Sequence, residues 1–238
     1  MLPISDNVPS RHPSFVTWSI IAVNVLVFVY QSSLGEFELF RLVYLYGIVP
    51  RRFANLSDLP MGLLTDAGLP LITNMFLHGG LLHLISNMWP LYLFGDNVED
   101  RIGHINFLLF YLLTGVIAGG THIVFNLSST VPAVGASGAI AGIMAAYFVF
   151  FPTARIVTLV PVFFIPMFFH IPAFFFVLIW FMTQLYSGVV HTIAGGSEMG
   201  GIAWWAHIGG FVAGIGLQRL FGGKGKGRDW YDDEYRPW

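Results

Sequence analysis

VGASGAIAGIMAAYFVFF, residues 134–151, is the stretch on which the fold turns. It carries no charge, and small residues recur along it at Gly138, Gly142 and Ala145, so it reads as a helix with one face stripped for close packing. From Ser137 to Phe151 it has 15 residues. At about 1.5 Å per residue that is about 22 Å, short of the roughly 30 Å hydrocarbon core of a bilayer. A helix this apolar belongs in a membrane, and one this short begins below the surface, which sinks Ser137 several ångströms into the layer.

The rest of the chain agrees. Of 238 residues, 55% are hydrophobic and only 10% charged, with a mean hydropathy of +0.71, against roughly 25% charged residues in a soluble domain. Apolar segments recur along most of the length, which indicates one integral membrane domain rather than a soluble domain on a single anchor. Six spans are expected, at 15–31, about 76–95, 105–125, 137–151, 172–187 and 203–221. Segment 156–171 is apolar but interrupted by Pro161 and Pro166, and is expected to be an interfacial or re-entrant stretch leading into the fifth span. Residues 1–14 lack the basic region and cleavage site of a signal peptide, so 15–31 should remain as the first span. The expected division is a cytoplasmic segment 1–14, a six-helix domain 15–221 and a glycine-rich, flexible cytoplasmic tail 222–238.

Six spans put Arg11, Arg101, Arg155, Arg219, Lys224, Lys226, Arg228 and Arg236 on one side and only Arg41, Arg51 and Arg52 on the other. The positive-inside rule then places both termini in the cytoplasm of a multi-pass cell-membrane protein. The long first loop, about 32–75, is amphipathic and aromatic in GEFELFRLVYLYGIVPRRF and should lie on the membrane surface as short helices. With no cysteine there is no disulfide framework, thiolate metal site or thiol nucleophile. A net charge of −2 points to no charged partner.

Polar groups inside spans prompt a functional question. The second span holds His83 and Asn87 four apart on one face, with His78 at its mouth. Such a pair also serves as interhelical hydrogen-bonding glue. No HExxH occurs, so zinc chemistry has no support and no metal or other cofactor is expected. Ser137, between Gly135 and Gly138, could be a helix cap alone. Its depth, beside the free N–H groups of a helix N-terminus, also equips it as a nucleophile with an oxyanion hole at hand. The sixth span opens WWAHIGGFVAGIG and places His207 near the same face. His207 could simply bridge helices. However, Gly210 and Gly214 form a GxxxG matching Gly138 and Gly142, and if the two faces pack together His207 reaches Ser137. No Asp or Glu lies between Asp100 and Glu198 or between Glu198 and Asp229, so the machinery would be a Ser–His dyad without an acid.

HGGLLHLISN on the second span, FGDNVEDRIG after it, GASGAIAG on the fourth and AHIGGFVAG on the sixth together resemble the rhomboid intramembrane proteases, in order and spacing, from about Phe15 to Leu220. The resemblance implies an all-α, six-transmembrane-helix bundle with a membrane-embedded first loop. It also implies a serine endopeptidase that cleaves transmembrane protein substrates near small residues, after lateral entry near the fifth span. By the same resemblance Ser137 attacks and His207 takes its proton; His83, Asn87 and the Ser137 backbone N–H stabilise the oxyanion, and His78 braces the first loop. The active site would open to the extracytoplasmic side, with lipid and membrane proteins as partners, no nucleic acid, and an oligomeric state left open. Two features depart from the family's pattern: there is no Trp-Arg dipeptide in the first loop, and Ala141 stands where some members stack a tyrosine on the histidine. The alternatives are a non-catalytic relative that binds or escorts membrane helices, which would usually lack the serine or the histidine, and a small transporter, which would show inverted repeats.

Overall fold

The computed structural model describes residues 2–54, 63–193 and 202–222, so the expected tail and Glu198 lie outside the described residues. In chain order the elements are β1 (Leu2–Asp6), α1 (Phe15–Ser32), α2 (Glu36–Tyr46), a 3₁₀ turn (Pro50–Phe53), α3 (Leu63–Thr73), a second 3₁₀ turn (Asn74–Phe76), α4 (Leu81–Ile102), α5 (His104–Phe125), α6 (Ser137–Phe150), β2 (Arg155–Val162), β3 (Ile165–Pro172), α7 (Ala173–Ile193) and α8 (Trp204–Phe221). Helices therefore occupy all six expected span positions, and the first loop forms short helices. The largest boundary difference is at the second: after Phe76 the chain bends by 90° before α4 begins beyond Gly79 and Gly80.

This is a multi-pass membrane protein. Among the described residues α1, α5 and α7 are each long and apolar enough to cross a bilayer, and the bent pair ending in α4 makes a fourth. The expectation of six such spans is narrower in the structure for two reasons. Helix α6 has only 14 residues, and α8, though 18 residues long, is diluted in hydropathy by His207, Gln218, Arg219 and four glycines. Helix α6 is the axis of the bundle: every residue from Gly138 to Tyr147 is buried, with α4, α5 and α8 around it.

The all-α expectation needs correcting. Residues 155–172 form a β-hairpin, and β1 from the N-terminal segment adds to it, giving an antiparallel sheet in the order β1-β2-β3. The physical reason is in the sequence: β-branched and aromatic residues dominate, and the two prolines that forbid a helix face one another as Pro161↔Pro166. Neither has an N–H, so opposition at a non-hydrogen-bonded pair loses the ladder nothing.

The polar end of α4 clasps the chain entering α1. Glu99, wholly buried, accepts hydrogen bonds from the backbone N–H groups of Val16 (2.9 Å) and Thr17 (2.7 Å) and from the Thr17 hydroxyl (2.7 Å). It thereby caps the α1 N-terminus with a negative charge where the helix dipole favours one; His104 Nδ1 completes its shell at 2.5 Å. Ser10 donates to Asp96, and the backbone N–H of Arg11 and the ring of His12 bond Asp100. Further in, Asp6 accepts from the Tyr147 hydroxyl at 2.5 Å and from Asn97 Nδ2 at 2.8 Å.

Burial pushes the Asp6 carboxyl from 3.8 up to about 7, against the pull of these two hydrogen bonds. A raised carboxyl pKa favours the protonated folded strand. Its stabilisation is complete below the unfolded value and is lost as pH rises through about 7. Intrinsic-rate-corrected hydrogen exchange of residues 2–6 should therefore show protection falling from about pH 4 to about pH 7 and levelling off above it, and Asp6→Asn should flatten that dependence. An unchanged slope in the variant would assign it elsewhere.

Candidate active site

Ser137 is the first helical residue of α6, and the cap position before it is Ala136, so the hydroxyl is not spent on capping. The first backbone bond into the helix runs from Ile140 N–H to Ala136 O, which leaves the N–H groups of Ser137, Gly138 and Ala139 without an intrahelical acceptor. The Ser137 Oγ lies 2.7 Å from His207 Nε2, across 70 residues of sequence.

Glycine makes that distance possible. A Cβ on Gly210 would lie 1.9 Å from the Gly138 carbonyl oxygen, and one on Gly214 would lie 2.4 Å from the Gly142 carbonyl oxygen. The α8 glycines therefore rest directly on the α6 backbone. The α6 glycines play a different part: a Cβ on Gly138 would strike Ala118 Cβ at 2.6 Å and one on Gly142 would strike Thr114 Cβ at 2.5 Å, both on α5. The two GxxxG runs thus lock three helices together, whereas the spacing alone suggested two.

His207 is held from both sides. Its Nδ1 lies 2.7 Å from Gln184 Oε1; because an amide oxygen only accepts, Nδ1 carries the proton and Nε2 presents its lone pair to the serine hydroxyl. Trp180, one turn before Gln184 on α7, lies 5.9 Å from the imidazole between ring centroids at 32°, and Trp204 meets it edge-on at 6.1 Å. These rings do what no ring at Ala141 can. Sequence reasoning missed Gln184 and Trp180. The signal was available: a lone glutamine four residues after a tryptophan in an apolar span is the kind of intramembrane polar group that asks for a partner.

His83 and Asn87 converge on the same place. His83 Nδ1 accepts from Gly79 N–H at 3.2 Å, so its ring proton sits on Nε2. That nitrogen faces Gly135, whose φ of +127° suits glycine and whose missing Cβ would lie 2.8 Å from it. Asn87 Nδ2 donates to the His83 carbonyl at 3.0 Å and is 3.7 Å from the same point. His78 is buried and meets His83 edge-on at 5.2 Å. Its main chain exchanges two hydrogen bonds with the Gln31 side chain at the end of α1, so it ties α1 to the turn before α4. The loop carrying Gly135 is fixed by an Ile48–Ala133 bridge, a bond from Arg51 N–H to Ser129 O, and one from Gly135 N–H to Asn74 O. Behind Ser137 a cavity of about 20 Å³, lined in part by Met75, Gly119, His122 and Ala206, has room for one water.

With this arrangement in view, the matches to known proteins fall into line. The rhomboid domain matches residues 66–224, two thirds of the chain and every element named above from α4 to α8. The chain belongs to the rhomboid family. Its rhomboid relatives include RHOMBOID-like protein 6, mitochondrial, of Arabidopsis thaliana, 41% identical over 76 residues, 32% of this chain and 24% of that one. Presenilin-associated rhomboid-like protein A, mitochondrial, of Danio rerio is 33% identical over 97 residues, 40% of this chain and 25% of its own. YdcA of Bacillus subtilis, a candidate rhomboid protease, is 40% identical over 78 residues, 32% and 38% of the two chains. The matched segments cover between a quarter and two fifths of these rhomboid relatives.

The helix contact yields a direct test. Gly210→Ala should drive α8 from α6, lower the thermal midpoint and abolish reaction of Ser137 with a fluorophosphonate probe, since overpacking at backbone contact costs about 1–3 kcal/mol. Gly216→Ala, on the same helix with nothing within 4 Å of the new Cβ, should be silent in both measurements.

Proposed function

We propose that this protein is an intramembrane serine endopeptidase that cleaves transmembrane segments of membrane proteins. One observation carries the reading: the Ser137 Oγ and His207 Nε2 lie 2.7 Å apart inside a membrane bundle, at the first residue of a helix whose N–H groups have no intrahelical acceptor. The rhomboid family membership and the relationship to a candidate protease agree with it.

In this mechanism Ser137 Oγ attacks the carbonyl carbon of the scissile bond as its proton passes to His207 Nε2. The carbonyl π pair moves onto oxygen. The resulting oxyanion takes hydrogen bonds from the Ser137 backbone N–H, His83 Nε2–H and the Asn87 amide, donors preset around the Gly135 turn. His207 then returns the proton to the departing amine nitrogen as the C–N bond breaks, leaving an ester on Ser137. Water, deprotonated by the same nitrogen, attacks the ester, and the serine recovers its proton. Gln184 touches no reacting atom. It positions His207 by fixing the tautomer, and its oxygen faces the imidazolium when that forms. The protein would sit in the cell membrane with both termini in the cytoplasm and the site opening on the opposite face.

Ser137→Ala and His207→Ala should each eliminate cleavage of a transmembrane reporter and fluorophosphonate labelling, with insertion unchanged. Cleavage surviving in either variant would sink the assignment, and an unreactive wild-type protein that still captured membrane helices would favour a non-catalytic binder. His83→Ala or Asn87→Ala should lower kcat by about 10²- to 10³-fold, the range for one oxyanion donor.

Gln184 has its own test. The net value of one hydrogen bond, about 0.5–1.5 kcal/mol, converts to a loss of up to roughly tenfold in labelling rate for Gln184→Ala. A purely structural role would instead show as a lower thermal midpoint in Gln184→Ala with the labelling rate of the folded fraction intact.

A further inference from the structure

The β2–β3 hairpin is unlike anything that the catalytic reading uses. Residues 156–172, IVTLVPVFFIPMFFHIP, hold no Asp, Glu, Lys or Arg, yet Phe163 is 92% and Phe164 101% exposed, and Ile165, Met167, Phe168 and Phe169 are exposed as well. The turn residues Phe163 (φ +47°) and Phe164 (φ +69°) both adopt the left-handed conformation that hairpin turns normally give to Asn and Gly. A bulky residue held there indicates that its side chain serves some purpose at the tip. In water, a two-faced apolar hairpin with an open edge would be an aggregation site.

Hydrogen bonds fix where the sheet lies. Glu99 caps the start of α1, and Gln31 near the end of α1 holds His78 just before α4, so α1 and α4 run side by side across the same layer. Trp89 lies on α4 between those two anchors, ten residues from Glu99, or about 15 Å along the helix. Its Nε1–H donates to the Pro3 carbonyl at 2.6 Å, while Asp6 bonds Asn97 and Tyr147 at the polar end. Strand β1 therefore climbs along α4 into the middle of the layer. Because Pro3 pairs with Thr158, β2 continues four residues past that level, 159–162, before its tip, about 13 Å at strand rise.

The open edge of β3 carries few unpaired N–H groups, while its outward carbonyls have no strand partner. With Pro161 and Pro166 as a non-hydrogen-bonded pair, the outward positions of β3 are 166, 168, 170 and 172. Two of these four are proline and have no N–H to leave unsatisfied, and His170, beside Val157, lies toward the polar end. Phe168 alone keeps an unpaired donor at depth. Where β1 stops, the side chains of Leu2, Leu159, Pro161, Phe164 and Pro166, all apolar, line an open concavity. On α7, the helix that follows β3 directly, Phe174, Phe175, Ile179 and Met182 are exposed as well.

We propose that the β2–β3 hairpin is a lipid-embedded element, with its Phe163–Phe164 tip among the acyl chains and the concavity behind it filled by them. The proposal rests on membrane placement alone and stands or falls independently of proteolysis. Because the chain has no cysteine, Phe164→Cys creates a unique thiol at a side chain that packs against nothing. Spin-labelled and reconstituted in phosphatidylcholine vesicles, it should collide with oxygen in preference to a water-soluble nickel chelate, by a ratio several-fold above that of a label at Arg155→Cys. Phe168→Cys should give the same result from the neighbouring strand. Nickel access equal to that at Arg155→Cys would overturn the proposal by placing the tip in water. Shielding from both reagents, or dipolar broadening relieved by diluting with unlabelled protein, would overturn it in favour of a protein cover, in the second case another copy of this chain.

Discussion

Everything in the site depends on one contact: the α8 backbone resting on the α6 backbone at Gly210 and Gly214. In lipid there is no hydrophobic gain from pressing apolar helices together, so association comes from van der Waals fit and from hydrogen bonds that close approach permits. The glycines supply the fit, and the Ser137–His207 bond is the hydrogen bond that follows. The third helix enters through the opposite faces of Gly138 and Gly142, where Ala118 and Thr114 of α5 fill the space that side chains would have taken. Even a methyl group added at these points would set neighbouring backbones apart.

Much of this was legible in the sequence because it rests on residues with few alternative uses. A short charge-free helix starting at Ser137 and two GxxxG runs predict the meeting of α6 and α8. His83 and Asn87, four apart, predict their shared face. What escaped is equally physical. Gln184 is a neutral side chain whose meaning depends entirely on which helix lies opposite, and nothing in α7 itself says that His207 does. The sheet escaped for a different reason: β1 and β2 are about 150 residues apart, and a strand of five residues such as Leu2–Asp6 has no period long enough to see. The prolines at 161 and 166 excluded a helix, but only the pairing partner could turn that exclusion into a hairpin.

Of the acidic residues at the end of α4, Asp96, Glu99 and Asp100, the last bonds His12. Their larger effect is at long range, for Glu99 supplies the cap that α1 lacks in its own sequence: Ser14, at the cap position, makes no side-chain bond to the helix. A single buried carboxylate thereby sets the level at which the first helix enters the layer, and through Gln31 and His78 that level is passed on to the turn that precedes His83.

The amide at Gln184 also decides what the protein carries into the membrane. A carboxylate in that place would bring a full negative charge into the apolar interior each time the chain inserts, and charged side chains at mid-bilayer cost several kcal/mol. With glutamine, His207 and Ser137 the resting site is wholly neutral. In the proposed mechanism charge would appear only for the lifetime of the imidazolium and the oxyanion, as an opposed pair. The consequence is a centre that can be assembled like any other piece of bundle and becomes electrostatically expensive only while it is occupied. Under the proposed mechanism the waiting state carries no charge, and the charged state would last no longer than a turnover.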